Sequence, residues 1–491
     1  MRKLWCALFL VSTVGFSLPA AAQGTAGALS LEDALNLARQ NNPTYLQSTN
    51  GKRRAESQLR LAYGQLLPSA NTSLSTGYRQ GRQEFIGGVA FGAASDILSS
   101  SWGLNFSARL TARTLANIRQ AKAQLDAAEN NLKDAGQNLR TIITQQYILV
   151  LQLNARAALQ DSLIVSNQLQ LDLANAKTSA GSGTPLDVKR AEVAVGQVRI
   201  SSLKAHNTAE VETLHLFQQM GVSKPDNVSL TSTFQISEPV MDINQLLMMA
   251  KSGNPALLAL RSQETAAGAA YRASQGDYIP SLSFNASFGG TSQQYKDVNY
   301  LVSQAQGNTL GAQASCFSQD SLRRGAGLPS IASQCNQIAF TPAQAATIRS
   351  NNNVFPFRFT SSPYNLSLTL SMPLFDGFGR ENGLQQAAAS RSDARYNVRA
   401  EELKLATDVT AAYTTLVSDY RTVRLQEAVT QVAREALLLA QERFRVGLNS
   451  LVDLQQSRSD FQTADEGLID ANFEFHRAYA ALESAVGRAL R

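Results

Sequence analysis

Four segments of the chain alternate apolar and polar residues with a period of two. They are 69–78 (SANTSLSTGY), 102–110 (WGLNFSARL), 281–288 (SLSFNASF) and 364–372 (YNLSLTLSM). This alternation predicts four β-strands, each with one apolar face and one polar face. A soluble sheet packed on its own core would give the same pattern. However, the rest of the chain is predicted to be helical, so it supplies no second sheet to cover the apolar faces.

The two faces of these strands favour a membrane β-barrel over a soluble sheet. Ser, Asn and Thr on the polar faces suit a water-filled lumen, and aromatic residues lie near the strand ends. A sheet in lipid must close, because its edge groups find no hydrogen-bond partners there. Four strands are too few to close, since known barrels start at about eight. We therefore expect two, three or four copies of the chain to share one barrel.

Long helices are predicted between the strands. In each half of the chain a short amphipathic helix precedes an Asn-Pro pair, and a second helix runs to the proline before the first strand. After the second strand come a helix of about 65 residues, a turn that contains glycine and a helix of about 36 residues. At about 1.5 Å per residue, the longest helix extends nearly 100 Å.

The last of these helices has a period of seven. Large apolar residues recur at every seventh position, and mostly Ala follows three places later; the large ones are Leu454, Phe461, Leu468, Phe475 and Leu482. An ordinary amphipathic core helix would drift from a strict seven over this length. The pattern therefore predicts coiled-coil-like pairing of helices. In the equivalent helix of the first half the seven-residue repeat of apolar residues is less regular. Its members there are Val188, Val195, Ala209 and Leu216.

The sequence indicates that the chain contains two copies of one unit. Asn42-Pro43 aligns with Asn254-Pro255, and Asp187 aligns with Asp453 at a longer spacing. We expect a first repeat over 23–235 and a second over 236–491. The longer spacing indicates an insertion in the second copy, which we assign to a long extracellular loop over 290–362 around two cysteines.

Each copy makes the same sharp turn between its long helix and the next one. The shared pattern is a glycine, then a hydroxyl residue, then an aspartate three residues later: Gly181, Thr184 and Asp187 in one copy, and Gly447, Ser450 and Asp453 in the other. Glycine suits the end of a helix, and the hydroxyl residue suits the N-cap of the next. The aspartate at the third position faces helix amides and the positive end of the helix dipole. Helix reversal alone accounts for both turns.

The start of the sequence predicts export. Residues 1–22 combine a basic start, an apolar run and small residues, which is typical of a signal peptide cleaved between Ala22 and Gln23. Beyond it we find no apolar run long enough for a membrane-spanning helix. The formal net charge of +6 falls to about +4 without Arg2 and Lys3. That charge is too small and too dispersed to predict nucleic-acid binding.

Few residues in the sequence are candidates for disulfide formation, metal binding or catalysis. Cys316 and Cys335 lie in one Ser/Gln/Asn-rich stretch, and in an exported protein a disulfide is favoured over two free thiols. The three histidines, His206, His215 and His476, lack the spacing of a metal site. The sequence shows no catalytic set, phosphate-binding loop or nucleophile elbow. We expect no enzyme activity, no cofactor and no bound metal.

Taken together, these motifs resemble the TolC-like family of outer-membrane efflux proteins over the whole mature chain. The motifs that carry the resemblance are the Asn-Pro openings, LLPS and YIPS before the strands, MPLFDG at 372–377 and VGLNSLVDLQQS at the second turn. The resemblance implies a homotrimer in the outer membrane of a Gram-negative-type bacterium. Its twelve-stranded β-barrel would continue into a periplasmic tunnel of twelve helices, a coiled-coil-like α-barrel.

The resemblance also implies partners and roles for the turns. A periplasmic adaptor protein would contact the tips at Gly447, Leu448, Ser450, Gly181 and Thr184. Asp453 lies where the family narrows its tunnel with carboxylates, and Asp187 is its counterpart, so each either gates the tunnel or only caps its helix. Gln456 and Asn449 replace a second Asp and an Arg that are frequent in the family, which puts its closed-state lock in doubt here. Since no cysteine directly follows the cleavage site, the chain looks closer to the branch without a lipid anchor, which serves type I secretion as well as drug efflux.

These features predict a passive exit duct for efflux or type I secretion, embedded in outer-membrane lipid. An inner-membrane ABC or proton-driven transporter would supply the energy. The alternative is a structural or adhesive coiled-coil protein anchored by a shared barrel, which would need no adaptor. The repeated turn disfavours that alternative, and a secreted enzyme is more distant still.

Overall fold

The structure of the protein is a computed structural model. The residues that it describes are 27–81, 84–87, 89–91, 95–446 and 448–490. The predicted signal peptide with its cleavage site between Ala22 and Gln23 lies outside these residues, as does Gly447.

The first half of the chain contains four helices and six strands within the described residues. They are β1 (Gly27–Leu29), α1 (Leu31–Asn41), α2 (Pro43–Gly64), β2 (Ser69–Arg79), β3 (Glu84–Ile86), β4 (Val89–Phe91), β5 (Ile97–Leu110), α3 (Ala112–Ser179), α4 (Pro185–Met220) and β6 (Val228–Leu230). The long helix α3 has 68 residues and α4 has 36. Both lengths agree with the lengths expected from the sequence.

The second half repeats this order with additional helices. Its elements are α5 (Ile243–Gly253), α6 (Pro255–Gln275), β7 (Ser281–Tyr295), α7 (Asn299–Gly325), α8 (Ala332–Asn336), α9 (Pro342–Asn351), β8 (Thr360–Ser371), α10 (Gly379–Arg445) and α11 (Leu451–Val486). α10 and α11 have 67 and 36 residues, so each half ends in a long helix followed by one about half as long.

By its contacts the chain divides into two units. The first unit comprises Met1–Arg53, Ala127–Arg261 and Asn397–Arg491, and the second comprises Arg54–Asp126 and Ser262–Tyr396. The first unit therefore contains the two turns at which a long helix meets the next helix, α3 to α4 and α10 to α11, which we call the reversals. The second unit contains the sheet formed by β2, β5, β7 and β8, which we call the main sheet.

The Asn-Pro pairs end α1 and α5 and fasten them to the last helix of the same half. Asn42 and Asn254 are extended, as expected before proline. The Asn42 side-chain amide donates to the Gln219 carbonyl at 2.7 Å, and that of Asn254 donates to the Ala485 carbonyl at 3.2 Å. The two halves thus use equivalent residues for the same contact.

Each half also has its own apolar core in the first unit. The buried pairs of equivalent position are Ala34 and Leu246, Leu139 and Leu405, Ile143 and Val409, Leu216 and Leu482, and Met220 and Val486. In the first core the Tyr147 hydroxyl donates to the Leu29 carbonyl at 2.7 Å, and in the second Tyr413 donates to Met241 at 3.0 Å. The paired contacts extend the similarity of the halves from sequence to packing.

The second unit contains a four-stranded antiparallel sheet in the order β2-β5-β7-β8. The four predicted strands are present, and each is longer than the sequence pattern showed. The register places Ala108 beside Phe284 and Phe284 beside Leu368, so apolar side chains of neighbouring strands share one face. Within the described residues β2 and β8 are the edges of this sheet, and each has one side that no strand of the same chain pairs.

The 290–362 segment, which is predicted from the sequence to be one long loop, is largely regular structure. β7 continues to Tyr295, β8 begins at Thr360, and α7, α8 and α9 lie between them. The Cys316 and Cys335 sulfur atoms form a disulfide between α7 and α8. α9 begins with a capping box of Thr341 and Gln344, a local signal that explains why this polar segment is helical.

One helix differs from the expectation about membrane-spanning segments. α3 contains an 18-residue window with a mean hydropathy of 1.2, long and apolar enough to cross a membrane by length and composition alone. Ile143, Tyr147 and Val150 of α3 are buried in the first core against α1 and α4. Packing within the protein accounts for these three residues, whereas 28% of the window as a whole is buried.

Candidate functional site

The first reversal joins α3 to α4 through a Schellman end and a capping box. Gly181 has φ +76°, and the Ser182 amide donates to the Lys177 carbonyl at 2.9 Å. The Thr184 hydroxyl donates to the Asp187 carboxylate at 2.7 Å and accepts from the Asp187 amide at 3.2 Å. A Cβ added at Gly181 would meet no atom within 4 Å, so this tip is open to solvent.

The second reversal, between α10 and α11, has equivalent hydrogen bonds at the helix end and at the cap. The Leu448 amide donates to the Arg443 carbonyl at 2.8 Å, which matches the Ser182 bond in the first reversal. The Ser450 hydroxyl donates to the Asp453 carboxylate at 2.8 Å and accepts from the Asp453 amide at 3.2 Å. Thr184 and Ser450 are therefore the N-caps predicted from the sequence.

The carboxylates of the two reversals remain accessible while they cap their helices. Asp453 is exposed, and Asp187 is half-buried. The hydrogen bond from the Thr184 hydroxyl lowers the pKa of Asp187 below its ordinary value, so this carboxylate is charged at neutral pH. A carboxylate on the first turn also lies at the positive end of the helix dipole. Capping leaves both carboxylates able to act on a solute or a partner.

Exposed apolar side chains surround the reversals. Leu448 is 77% exposed, and Val446 and Val452 beside it are 61% and 59% exposed. Leu186, on the first turn of α4, is 57% exposed. Apolar side chains concentrated beside polar turns are typical of a contact surface for another protein.

The main sheet presents an apolar face and a polar face, as predicted. Phe106 and Phe288 meet edge to face with ring centroids 6.3 Å apart, and Leu366, Leu368 and Leu370 on β8 are 56% to 71% exposed. Serine pairs line the other face, for example Ser75 with Ser101 and Ser281 with Ser371. A sheet that exposes leucines on one face and serines on the other suits a boundary between lipid and water.

The histidines and cysteines lie apart from the reversals along the chain. His206 bonds Asp161 at 2.9 Å, and Asp161 also accepts from the Ser202 hydroxyl, so this cluster joins α3 to α4. Among the described residues, no group of three or more His, Cys, Asp or Glu side chains is placed to hold a metal ion.

Polar contacts between the two halves on α3 and α11 are not predicted from the sequence. Arg156 of α3 binds Asp470 of α11 with two hydrogen bonds, and the Gln152 side chain donates to Asp470 at 2.7 Å. One turn along, the Gln160 amide donates to Glu466 at 2.9 Å. α3 and α11 each carry several other charged residues, so the sequence does not identify Asp470 as the partner of Arg156.

The comparison with family models decides the family. The model described as outer membrane efflux protein matches residues 34–222 and 339–488, which is more than half of the chain. The chain belongs to the outer membrane efflux protein family. This confirms the predicted TolC-like family and the predicted location in the outer membrane.

Relatives and solved structures agree with this family. The outer membrane efflux protein BepC of Brucella suis is 22% identical over 377 residues, covering 77% of this chain and 69% of that protein. The outer membrane protein VceC from Vibrio cholerae superposes with a TM-score of 0.68 at 16% identity over 94% of this chain and 97% of that chain.

A third similar protein is the CmeC outer membrane channel of Campylobacter jejuni. It has a TM-score of 0.70 at 14% identity over 93% of this chain and 85% of that chain. These structures share the fold, which confirms the predicted mixture of long helices and four strands. The comparisons give the adhesive alternative no support.

Proposed function

We propose that this outer membrane efflux protein acts as a passive trans-periplasmic exit duct built from three copies of the chain. The observation that carries the proposal is the four-stranded sheet, with an exposed apolar face and two edges that no other described strand of the chain pairs. Three such sheets would close a barrel of twelve strands and satisfy every edge. The long helices that follow the strands would continue this barrel as a helical tunnel.

We propose that the chain is built from two repeats of one structural unit. We assign the first repeat to 23–235 and the second to 236–491, with the helical insertion between β7 and β8 on the extracellular side. The equivalent asparagine and tyrosine contacts in the two halves support this division. The disulfide of the insertion is consistent with an exported, oxidised protein.

The proposed partners meet the duct at its reversals. A periplasmic adaptor would contact Gly181, Thr184, Leu448 and Ser450, together with Gly447, which lies outside the described residues. An inner-membrane ABC or proton-driven transporter would supply energy, since we propose that the chain is not an enzyme. BepC, the similar outer membrane efflux protein, favours efflux as the task; type I secretion is the second candidate.

The tip assignment is tested with Leu448→Asp and a matched control. Leu448 at the tip is 77% exposed, and Leu322 in the insertion is 74% exposed, so the same change disturbs no core at either site. A charge at the tip should abolish apolar contact with the adaptor, and cells with Leu448→Asp should retain a hydrophobic dye as deletion cells do. Leu322→Asp should clear the dye normally. Equal clearance by both variants, with equal amounts of assembled protein, would remove the tip assignment.

A further inference from the structure

The insertion between β7 and β8 meets the main sheet at the end opposite to the long helices. The register pairs Leu110 with Leu282 at one end of β5 and β7, and Ile97 with Tyr295 at the other end. α3 begins two residues after Leu110, whereas the insertion follows Tyr295. In the proposed duct the end at Tyr295 is therefore the extracellular end.

Two polar residues show that the apolar face of the sheet is covered at this end. Successive residues of a strand alternate between its faces. Ser100 is two residues from Trp102, which is on the apolar face of β5. Gln294 of β7 pairs with Leu98, which is two residues from Ser100. Ser100 is only 3% exposed, and Gln294 is half-buried, so another segment lies over them.

The covering segment is the last part of the insertion, residues 352–359, which we call the collar. The Ser100 hydroxyl donates to the Pro356 carbonyl. The Gln294 side-chain oxygen accepts from the Phe355 amide at 3.0 Å. These bonds hold the collar against the apolar face, which is the face that lipid would contact in the proposed barrel.

The length of the strands places the collar where the apolar core of a membrane ends. Ser100 is ten residues from Leu110. That separation is about 33 Å along a strand and roughly 23 Å across the membrane for a strand tilted by about 45°. The apolar band of an outer-membrane barrel is about 25 Å tall. With Leu110 at the periplasmic edge of the band, the collar lies at its outer edge, beside the lipid headgroups.

The collar and the end of α9 present an aromatic ring and two cations at this depth. Phe357 is 72% exposed, and Arg358 beside it is also exposed. Arg349, in the last turn of α9, is exposed and donates to the Asn299 side chain at 3.5 Å. Within the part of the chain that the structure describes, neither arginine forms an ion pair. Aromatic rings are typical of the interface of a barrel, and guanidinium groups bind phosphate with two parallel hydrogen bonds.

The insertion as a whole carries a surplus of positive charge. Residues 296–359 include five Lys or Arg and two Asp. Asp320 is buried and forms an ion pair with Arg324 at 3.0 Å, so it does not offset the exposed cations. Lys296, directly after β7, is exposed and lies 3.8 Å from Asp96. Positive charge beside a membrane surface attracts anionic headgroups.

We propose that the collar binds a phosphate-bearing lipid of the outer leaflet, with Phe357 among the acyl chains and Arg349 and Arg358 on the headgroup. This inference rests on the proposed membrane barrel and names a ligand for its outer rim. A lipid satisfies both parts of the surface, because the ring needs an apolar partner and the arginines need an anion.

Lipid binding by the purified full-length protein in detergent tests the headgroup contact. The probes are a diphosphorylated glycolipid (lipid A) and the same glycolipid without its phosphates. The unmodified protein should bind the phosphorylated form about ten-fold tighter, since hydrogen bonds to charged groups are the stronger ones. Arg349→Gln with Arg358→Gln should remove this preference. The matched control is Arg395→Gln with Arg399→Gln, which removes two exposed charges from α10 and should keep it.

Two outcomes of the binding measurement would overturn the proposal. One is the same preference for the phosphorylated lipid in the collar variant and in the control. The other is full displacement of the lipid by an equal concentration of inorganic phosphate, which would identify a free anion as the ligand.

Tryptophan quenching by lipids with brominated acyl chains separates this inference from the proposed function. Trp102 is the one tryptophan that remains in the sequence after residues 1–22, and lipid should quench it if the apolar face lies in the membrane. Phe357→Trp in a Trp102→Phe background should be quenched to a similar extent. Leu403→Trp in the same background, at a site on α10 that is 64% exposed, should not. Quenching at Trp102 without quenching at position 357 would contradict only the collar, whereas quenching at neither site would contradict the proposed barrel as well.

Discussion

At the scale of single residues, a hydroxyl group and a carboxylate perform the same task at both reversals. Thr184 with Asp187, and Ser450 with Asp453, satisfy amides that would otherwise remain unpaired at a helix start. Capping explains why each pair occurs, but Asp453 is also exposed. A role as a gate is therefore compatible with the cap, and it has to be separated from it by experiment.

Asp453→Ala and Ser450→Ala separate these roles. Both remove the reciprocal cap, which costs about 1 kcal/mol of local helix stability for a serine cap, but only the first removes a negative charge. If Asp453 narrows the tunnel, single-channel conductance in planar bilayers should rise for Asp453→Ala and stay near the original value for Ser450→Ala. The same conductance in both variants and the unmodified protein would leave Asp453 with capping alone.

At the scale of elements, glycine ends the helices where another segment approaches closely. Gly221 has φ +78°, and a Cβ added there would lie 2.5 Å from the Asn41 carbonyl oxygen. Its counterpart Gly487 has φ +83°, and a Cβ added there would lie 2.9 Å from the Asn254 Cα atom. The end of the last helix in each half is thus held against the Asn-Pro break.

Gly221→Ala should destabilise this junction. The left-handed conformation costs an L-residue about 1–2 kcal/mol, and the contact with Asn41 adds to that cost. Gly383→Ala is the control, because Gly383 lies within α10 with no atom within 4 Å of an added Cβ and alanine favours a helix there. The apparent melting temperature should fall for Gly221→Ala and stay level or rise for Gly383→Ala. A fall of equal size in both would refute the argument.

The two faces of β8 should respond differently to the same charge. Leu368 is 68% exposed on the apolar face, and Thr369 is on the polar face. Arginine facing lipid costs about 2–4 kcal/mol near the bilayer midplane, whereas arginine in a water-filled lumen costs little. Leu368→Arg should reduce the amount of protein inserted in outer membranes, and Thr369→Arg should not. A loss with Thr369→Arg alone would reverse the assignment of the faces.

Much of the element order follows from the sequence because the signals are local and repeated. The alternation in 364–372 marks β8, and the Gly-to-Asp pattern marks both reversals. β1 and β6 were missed because three residues show no period, and they pair only through a contact between distant segments. The helices of the insertion were missed because their residues are mostly polar, although Thr341 and Gln344 carry a capping signal.

At the scale of the whole molecule, one chain does not complete the structure that its sequence specifies. The sheet has two edges and an exposed apolar face, and both features are unfavourable for a single soluble chain. The sequence predicts that copies are needed, because unpaired edges cannot exist in lipid. It does not specify their number, since the strand pattern is the same for two, three or four copies.

The conductance of purified, unmodified protein in planar bilayers tests the central claim most directly. A closed barrel that continues into a tunnel should conduct ions in discrete steps of one size, and the protein reconstituted there should be trimeric. Trimers that insert into the bilayer and never conduct would contradict the account of this protein as an exit duct.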